Sequence, residues 1–268
     1  DWLVLSDRPP LPEASFALVE AGYLVVELAL PLTDAAVLLD FHSTEGWPRT
    51  FTLFHDPMAG LVLIHRQGQQ VARHALPGPV AQAQGTGRLS LRFDAPGRVW
   101  EMRLDYLGQD SMTPAVAEGR DPLPLLPGDL HALSEGPFRS NRHSAVLWFG
   151  LTMGAALPQR APWIGQRTPI DTPRGPVMAG HLSPGDLVCT ADGGLLPLRG
   201  ITQLDLPARG SFAPVILRAP FFGCSHDILV ASDQLVALSG LEVEYLFDEE
   251  EVLIQAGDLV DGRSALAE

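Results

Sequence analysis

Residues 88–107, "RLSLRFDAPGRVWEMRLDYL", constrain the fold more than any other stretch of the chain. Leu89, Leu91 and Phe93 alternate with Ser90, Arg92 and Asp94. After Ala95-Pro96-Gly97 the alternation resumes, with Trp100, Met102, Leu104 and Tyr106 set against Glu101, Arg103 and Asp105. A period of two sends successive side chains to opposite faces of an extended strand. Two such runs around a tight turn predict an antiparallel hairpin with one dry face. A dry face needs a second layer to cover it, so the chain is expected to be built from packed sheets.

The rest of the sequence fits that architecture. Twenty-four prolines and 26 glycines punctuate short apolar runs, and no segment carries a long, capped helical period. Strands are predicted at 22–30, 36–41, 50–55, 61–65, 88–94, 99–106 and 144–151. Residues 107–142 read as a long loop with at most one short helix. "SAVLWFGLTM", residues 144–153, reads as a buried strand that completes an antiparallel β-sandwich over residues 1–155. Residues 154–167 read as a linker by composition. Beyond it the runs shorten and the turns become denser, which predicts a second, compact all-β domain over 156–268. The expected fold class is therefore all-β throughout. "ADGG", residues 191–194, marks a hairpin turn between "LVCT" and "LLPL", and "LEVEYLF" (241–247) is read as a further strand.

Composition narrows the function classes. The 268 residues carry a formal charge of −14, and all 18 basic residues are arginine. Without a basic cluster the chain is not expected to bind nucleic acid, and anionic membrane surfaces should repel it. No apolar run is long enough to span a bilayer; the longest, "YLVVELALPL", is interrupted by Glu27 and ended by Pro31. Two cysteines, Cys189 and Cys224, are too few for a disulfide framework or a structural zinc site, and leave the redox compartment open. No cofactor or metal is expected. The first residue is Asp1 rather than Met, as in a processed or trimmed product, and no signal peptide is visible.

Four segments carry a family resemblance: "RTPIDTPRGPV" (167–177), "LSPGDLVCTADGG" (182–194), "HDILVASDQLVAL" (226–238) and "VEYLFDEEEVLIQAGDLVDG" (243–262). Together they resemble the Hedgehog/intein (Hint) domain, in the bacterial branch attached to secreted or surface-type proteins. The resemblance implies a secreted or cell-surface location. It also implies a self-processing site, in which the first residue of the domain attacks the preceding carbonyl and a later histidine acts as acid and base. Aligned on these motifs, the nucleophile position holds Trp163, and the histidine position holds Gln234, or Leu235 with a shift of one residue. Indole offers one N–H donor and cannot transfer an acyl group, and glutamine exchanges no proton near neutral pH. The resemblance therefore implies a Hint frame without catalytic residues, serving as a binding or assembly module. The alternative is an autoprocessing domain whose nucleophile lies elsewhere.

Other candidates were weighed on residue type and spacing. Cys189, between Val188 and Thr190, reads as a buried structural thiol. Cys224-Ser225-His226 could form a thiol–imidazole pair or half a metal site, but the spacing favours a structural role. His42, His55, His65, His74, His131, His143 and His181 are scattered and read mostly as surface or strand-edge residues. Asp248–Glu251 reads as a solvated turn rather than a calcium loop. Residues 82–87 are not a nucleotide loop, since no helix follows them. The N-terminal half is broadly similar to lectin-like sandwiches, which makes a glycan the other candidate partner beside a protein or larger assembly. Trp100 and Trp148 lie in buried patterns, whereas Trp47 in "TEGWPR" is the aromatic expected to be exposed.

Overall fold

The computed structural model describes residues 2–6, 13, 16–44, 46–80, 83–108, 112–135, 140–154 and 162–267. The chain divides into two compact units, residues 1–159 and 160–268. Half of the expected linker, residues 155–161, lies outside the described residues.

The first unit is a sandwich of two antiparallel sheets. Its strands are β1 (Trp2–Val4), β2 (Ala21–Leu30), β3 (Ala36–Ser43), β4 (Arg49–Asp56), β5 (Gly60–Gln67), β6 (Gln70–Pro77), β7 (Gly85–Asp94), β8 (Val99–Leu107), β9 (Ala115–Arg120), β10 (Ser140–Arg142) and β11 (Val146–Thr152). One sheet runs β1-β11-β2-β7-β8-β9 and the other β10-β3-β4-β5-β6. The hairpin that opened the sequence reading is β7–β8, with Phe93 opposite Trp100 and Leu91 opposite Met102. Its turn is held by the Gly97 N–H, which donates to Asp94 Oδ1 at 2.7 Å. Leu89, Leu91, Phe93, Trp100, Met102, Leu104 and Tyr106 are all buried, as the alternation predicts. They meet Phe41, Phe51, Leu53, Leu61 and Leu63 of the other sheet in one apolar cluster. Glu27, the charge that interrupts the longest apolar run, lies opposite Arg88 on β7, with Nε and Oε1 3.5 Å apart.

The structure corrects three sequence expectations in this unit. The 107–142 segment is not mainly loop: it contains β9, the helix α1 (Pro127–Ser134) and β10. Strand β6 was likewise not predicted; its inward positions are Ala72, His74 and Leu76. A histidine and an alanine on the dry face hide the period-two signal there. Correspondingly, His55, His65 and His74 are buried rather than superficial.

Those buried polar groups are organised by α1. Asp129, fully buried at the third helical position, accepts from the Leu126 N–H at 3.2 Å and so caps its own helix. Its other contacts come from the facing sheet: Arg49 Nη1 at 3.1 Å, Gln67 Nε2 at 3.1 Å and His65 Nε2 at 3.5 Å. Gln67 Nε2 also donates to the Pro124 carbonyl at 2.7 Å. One carboxylate thus ties the helix to the ends of β4 and β5.

The second unit has short strands and a small core. Its strands are β12 (Pro169–Ile170), β13 (Val177–Met178), β14 (Leu187–Cys189), β15 (Leu195–Pro197), β16 (Val215–Leu217), β17 (Ile228–Val230), β18 (Leu235–Ser239), β19 (Glu251–Gln255) and β20 (Ala265–Ala267). They form three antiparallel pairs, β12–β13, β14–β15 and β18–β19, and one three-stranded sheet ordered β17-β16-β20. The buried centre is Val215, Leu217, Val230, Ala256 and Ala265. "LEVEYLF" is a helix, α2 (Leu241–Phe247), not a strand. Its alternation of apolar and acidic residues mimics a strand, but Gly240 precedes it with φ 117° and Asp248 ends it in the left-handed conformation, bracketing nearly two helical turns.

Candidate functional site

The Hint-like motifs fold into short hairpins and turns. "RTPIDTPRGPV" forms the hairpin β12–β13. Its turn is closed by the Gly175 N–H donating to the Thr172 carbonyl at 3.0 Å and by Thr172 Oγ1 donating to the Gly175 carbonyl at 2.6 Å. "LSPGDLVCTADGG" begins with a side-chain turn, in which the Ser183 N–H donates to Asp186 Oδ2 at 2.8 Å. It continues into the predicted hairpin β14–β15, whose turn places Gly193 at φ 77°. The Thr190 hydroxyl there donates to Asp192 Oδ1 and, with the Gly194 N–H, holds that carboxyl below its ordinary range.

Trp163 enters beside this frame as an extended residue. Its carbonyl accepts from the Ala231 N–H at 2.9 Å. Ile164 bridges Val230, and the Gly165 N–H donates to the Leu229 carbonyl at 2.7 Å. A Cβ on Gly165 would lie 3.2 Å from the Leu229 Cβ, so a small residue suits this close pairing. Ala231 also anchors the next turn, its carbonyl accepting from the Gln234 N–H at 3.0 Å. Trp163 and Gln234 are therefore both fastened to Ala231, one on each of its backbone groups.

The turn is clasped from its other side by the segment after β19. The Ala256 N–H donates to the Gln234 carbonyl and the Gly257 N–H to the Ser232 carbonyl, each at 2.8 Å. Gly257 is pressed so close that an added Cβ would stand 2.3 Å from Ser232 Oγ. The motif segments 163–165, 228–235 and 255–257, distant in sequence, thus converge on one turn. Trp163 and Gln234 are half-buried, and Leu235 is exposed. The Gln234 carboxamide donates to the Leu235 carbonyl at 3.0 Å.

The remaining candidates sit elsewhere. Cys224 and His226 precede β17, whereas Trp163 is bonded just past the other end of that strand. His226 Nδ1 is 2.9 Å from Ser225 Oγ, and burial, reinforced by Asp227, pushes the Cys224 thiol up. Cys189 is exposed, contrary to the buried thiol expected from its apolar neighbour Val188, because the two-stranded β14–β15 is covered by little on its outer face. Both cysteines are free. Among the described residues no three His, Cys, Asp or Glu side chains converge as a metal site would require. Asp248–Glu251 is an exposed turn closing α2 onto β19. In the first unit Trp100 and Trp148 are buried, and Trp47 is 51% exposed.

Sequence reading missed the Gly257–Ser232 clasp; its only trace is "QAG" directly after an apolar strand, a pattern without chemical groups to flag it. Missed too was the buried cluster around Asp129.

Comparison with known proteins places this geometry. Residues 165–268 match the family model described as the Hint domain, beginning two residues beyond Trp163. The second unit is a Hint domain, and the all-β fold agrees with it. No curated protein matches the chain. Among solved structures, the carbohydrate-binding module "Ruminococcus gnavus IT-sialidase CBM40" aligns at 14% identity and a TM-score of 0.30, covering 50% of this chain and 64% of that one. The same module bound to alpha2,3 sialyllactose aligns at 14% identity and a TM-score of 0.30, covering 53% and 67%. Bound to alpha2,6 sialyllactose, it aligns at 13% and 0.26, covering 53% and 68%.

Proposed function

We propose that the chain is a binding and assembly module whose Hint domain is retained as a scaffold that does not cleave itself. One observation carries this reading: the position that the Hint motifs assign to the nucleophile holds Trp163, and the position of the histidine holds Gln234 or Leu235. Acyl transfer needs a thiol or hydroxyl at the first and a proton carrier at the second. The cysteines are poor substitutes. Cys224 is disfavoured as a thiolate near neutral pH by its raised pKa and stands at the other end of β17. Cys189 lies on the β14–β15 hairpin.

Intact-mass measurement after prolonged incubation, with and without dithiothreitol, tests the proposal. The expected result is one species at full mass. Two fragments summing to the chain and dividing at Pro162–Trp163 would establish the autoprocessing alternative instead. Replacing Trp163→Cys together with Leu235→His or Gln234→His is expected to produce thiol-dependent cleavage, since the surrounding turns already hold the two positions on either side of Ala231.

A second reading, glycan binding by the sandwich, is favoured by Trp47 alone. Its six-membered ring rests against Gly68, where a Cβ would be 2.8 Å from the indole, while half of its surface stays open. An aromatic ring braced on one face and open on the other suits stacking on a sugar. On this reading a soluble glycan shifts the tryptophan emission of the parent protein, and Trp47→Ala abolishes the shift. A shift that survives Trp47→Ala removes Trp47 from the site.

A further inference from the structure

We propose that α2 is the docking site for a basic, apolar-anchored segment of a partner protein. This deepens the assembly reading above and rests on it. Among the described side chains of α2, only Val243 is turned into the unit. Leu241 and Tyr245, one helical turn apart, are 84% and 88% exposed, and Leu246 and Phe247 are also exposed. A soluble surface rarely carries four large apolar side chains on fewer than two helical turns without something to cover them.

Charge selects the kind of partner. Glu244 and Asp248–Glu251 are exposed around these side chains, and no basic residue occurs between Gly240 and Gly262. A second copy meeting this face through a twofold axis would bring the same carboxylates together. An anionic membrane would be repelled for the same reason. A segment with leucine-like anchors flanked by lysine or arginine satisfies both the apolar side chains and the acidic rim.

The test uses the full chain and a short fluorescent helical peptide of leucine and lysine, read by anisotropy at physiological salt. Two control peptides replace every lysine by glutamate, or every leucine by serine. The expected result is binding of the leucine–lysine peptide alone. It should weaken about tenfold in the double variant Tyr245→Ser/Leu246→Ser, as for loss of anchors at an interface centre. Glu249→Gln/Glu250→Gln should weaken it several-fold, and the pair Glu20→Gln/Glu118→Gln, in the sandwich unit, should leave it unchanged. These side chains are exposed, and circular dichroism checks that each variant keeps its fold. Because the chain contains no lysine, carbodiimide coupling of the peptide's lysines should mark Glu244 and Asp248–Glu251 without lysine-mediated links within the protein. The proposal is overturned by absence of binding, by equal binding of the glutamate or serine peptide, or by equal losses in the α2 and sandwich acid variants. It is equally overturned by a dimer in sedimentation that Tyr245→Ser converts to monomer. Self-cleavage would remove the assembly reading with these peptide results intact, and failed peptide binding would remove the docking site in an uncut chain.

Discussion

Asp129→Ala is expected to lower the stability of the sandwich by about 3–5 kcal/mol, the cost of removing one partner from a buried ion pair. The carboxylate is fully buried and accepts from Arg49, Gln67 and the Leu126 N–H. Alanine removes those acceptors together, strands the Arg49 charge and uncaps α1. For a unit of this size the thermal midpoint should fall by on the order of 10 °C. Asp129→Asn separates the contributions. Its single oxygen, placed where Oδ2 stood, can keep the bonds from Gln67 and Leu126. Its amide then points a donor at the donors of Arg49, so the loss is intermediate. Urea unfolding followed by circular dichroism measures both. An Asp129→Ala loss below about 1 kcal/mol, the range of ordinary exposed pairs, would contradict a structural role for the cluster.

Acidification is expected to weaken the sandwich well before its carboxylates titrate. His74 is 2% exposed and meets Trp100 edge-on, the ring centroids 4.8 Å apart. Burial, aided electrostatically by the neighbouring His65, pushes its pKa down to about 4. On unfolding it returns to the ordinary value near 6.5, so the unfolded chain takes up the proton first. Stability is therefore full above about pH 6.5, falls as pH drops toward 4 and levels once both states are protonated, a total of about 3 kcal/mol from this residue. Asp56, Asp121, Asp192 and Asp261 act in a separate range. Each is held below its ordinary value by hydrogen bonds, from backbone amides at Asp56, from Arg98 at Asp121 and from hydroxyls at Asp192 and Asp261. Their stabilisation is present above about pH 4 and is lost only as pH falls through their lower folded values. A series of urea unfolding curves between pH 7 and 4 should show the histidine slope, and His74→Phe should flatten it by one proton. NMR provides a check on the parent: a His74 ring resonance that titrates near 6.5 in the folded protein would refute the assignment.

The sandwich was legible in the sequence where strands alternate apolar with plainly polar residues. Leu89 to Tyr106 needed nothing but the period. It was illegible in β6, where His74 occupies a core position, and in β9, where Ala115, Ala117 and Gly119 give too weak an apolar signal. In the Hint domain, turn residues revealed the hairpins because Gly193 and Asp192 have local conformational reasons to be there. α2 was misread because alternation over seven residues fits one exposed helix as well as one strand; Gly240 and Asp248 held the deciding information at its ends. The convergence on Ala231 could be approached only through motif resemblance. It consists of backbone hydrogen bonds between remote segments, which leave no imprint on side-chain pattern.

The placement of the Hint core bears on how such a domain can change over evolutionary time. Its dry centre consists of Val215, Leu217, Val230, Ala256 and Ala265, and the turn that carries Gln234 is held by main-chain bonds from Trp163, Ala256 and Gly257. Neither set requires a particular side chain at 163, 234 or 235. Selection for folding and selection for chemistry therefore fall on different residues. A lineage can exchange side chains at these positions and keep its shape, because the frame that holds them is made of main-chain bonds.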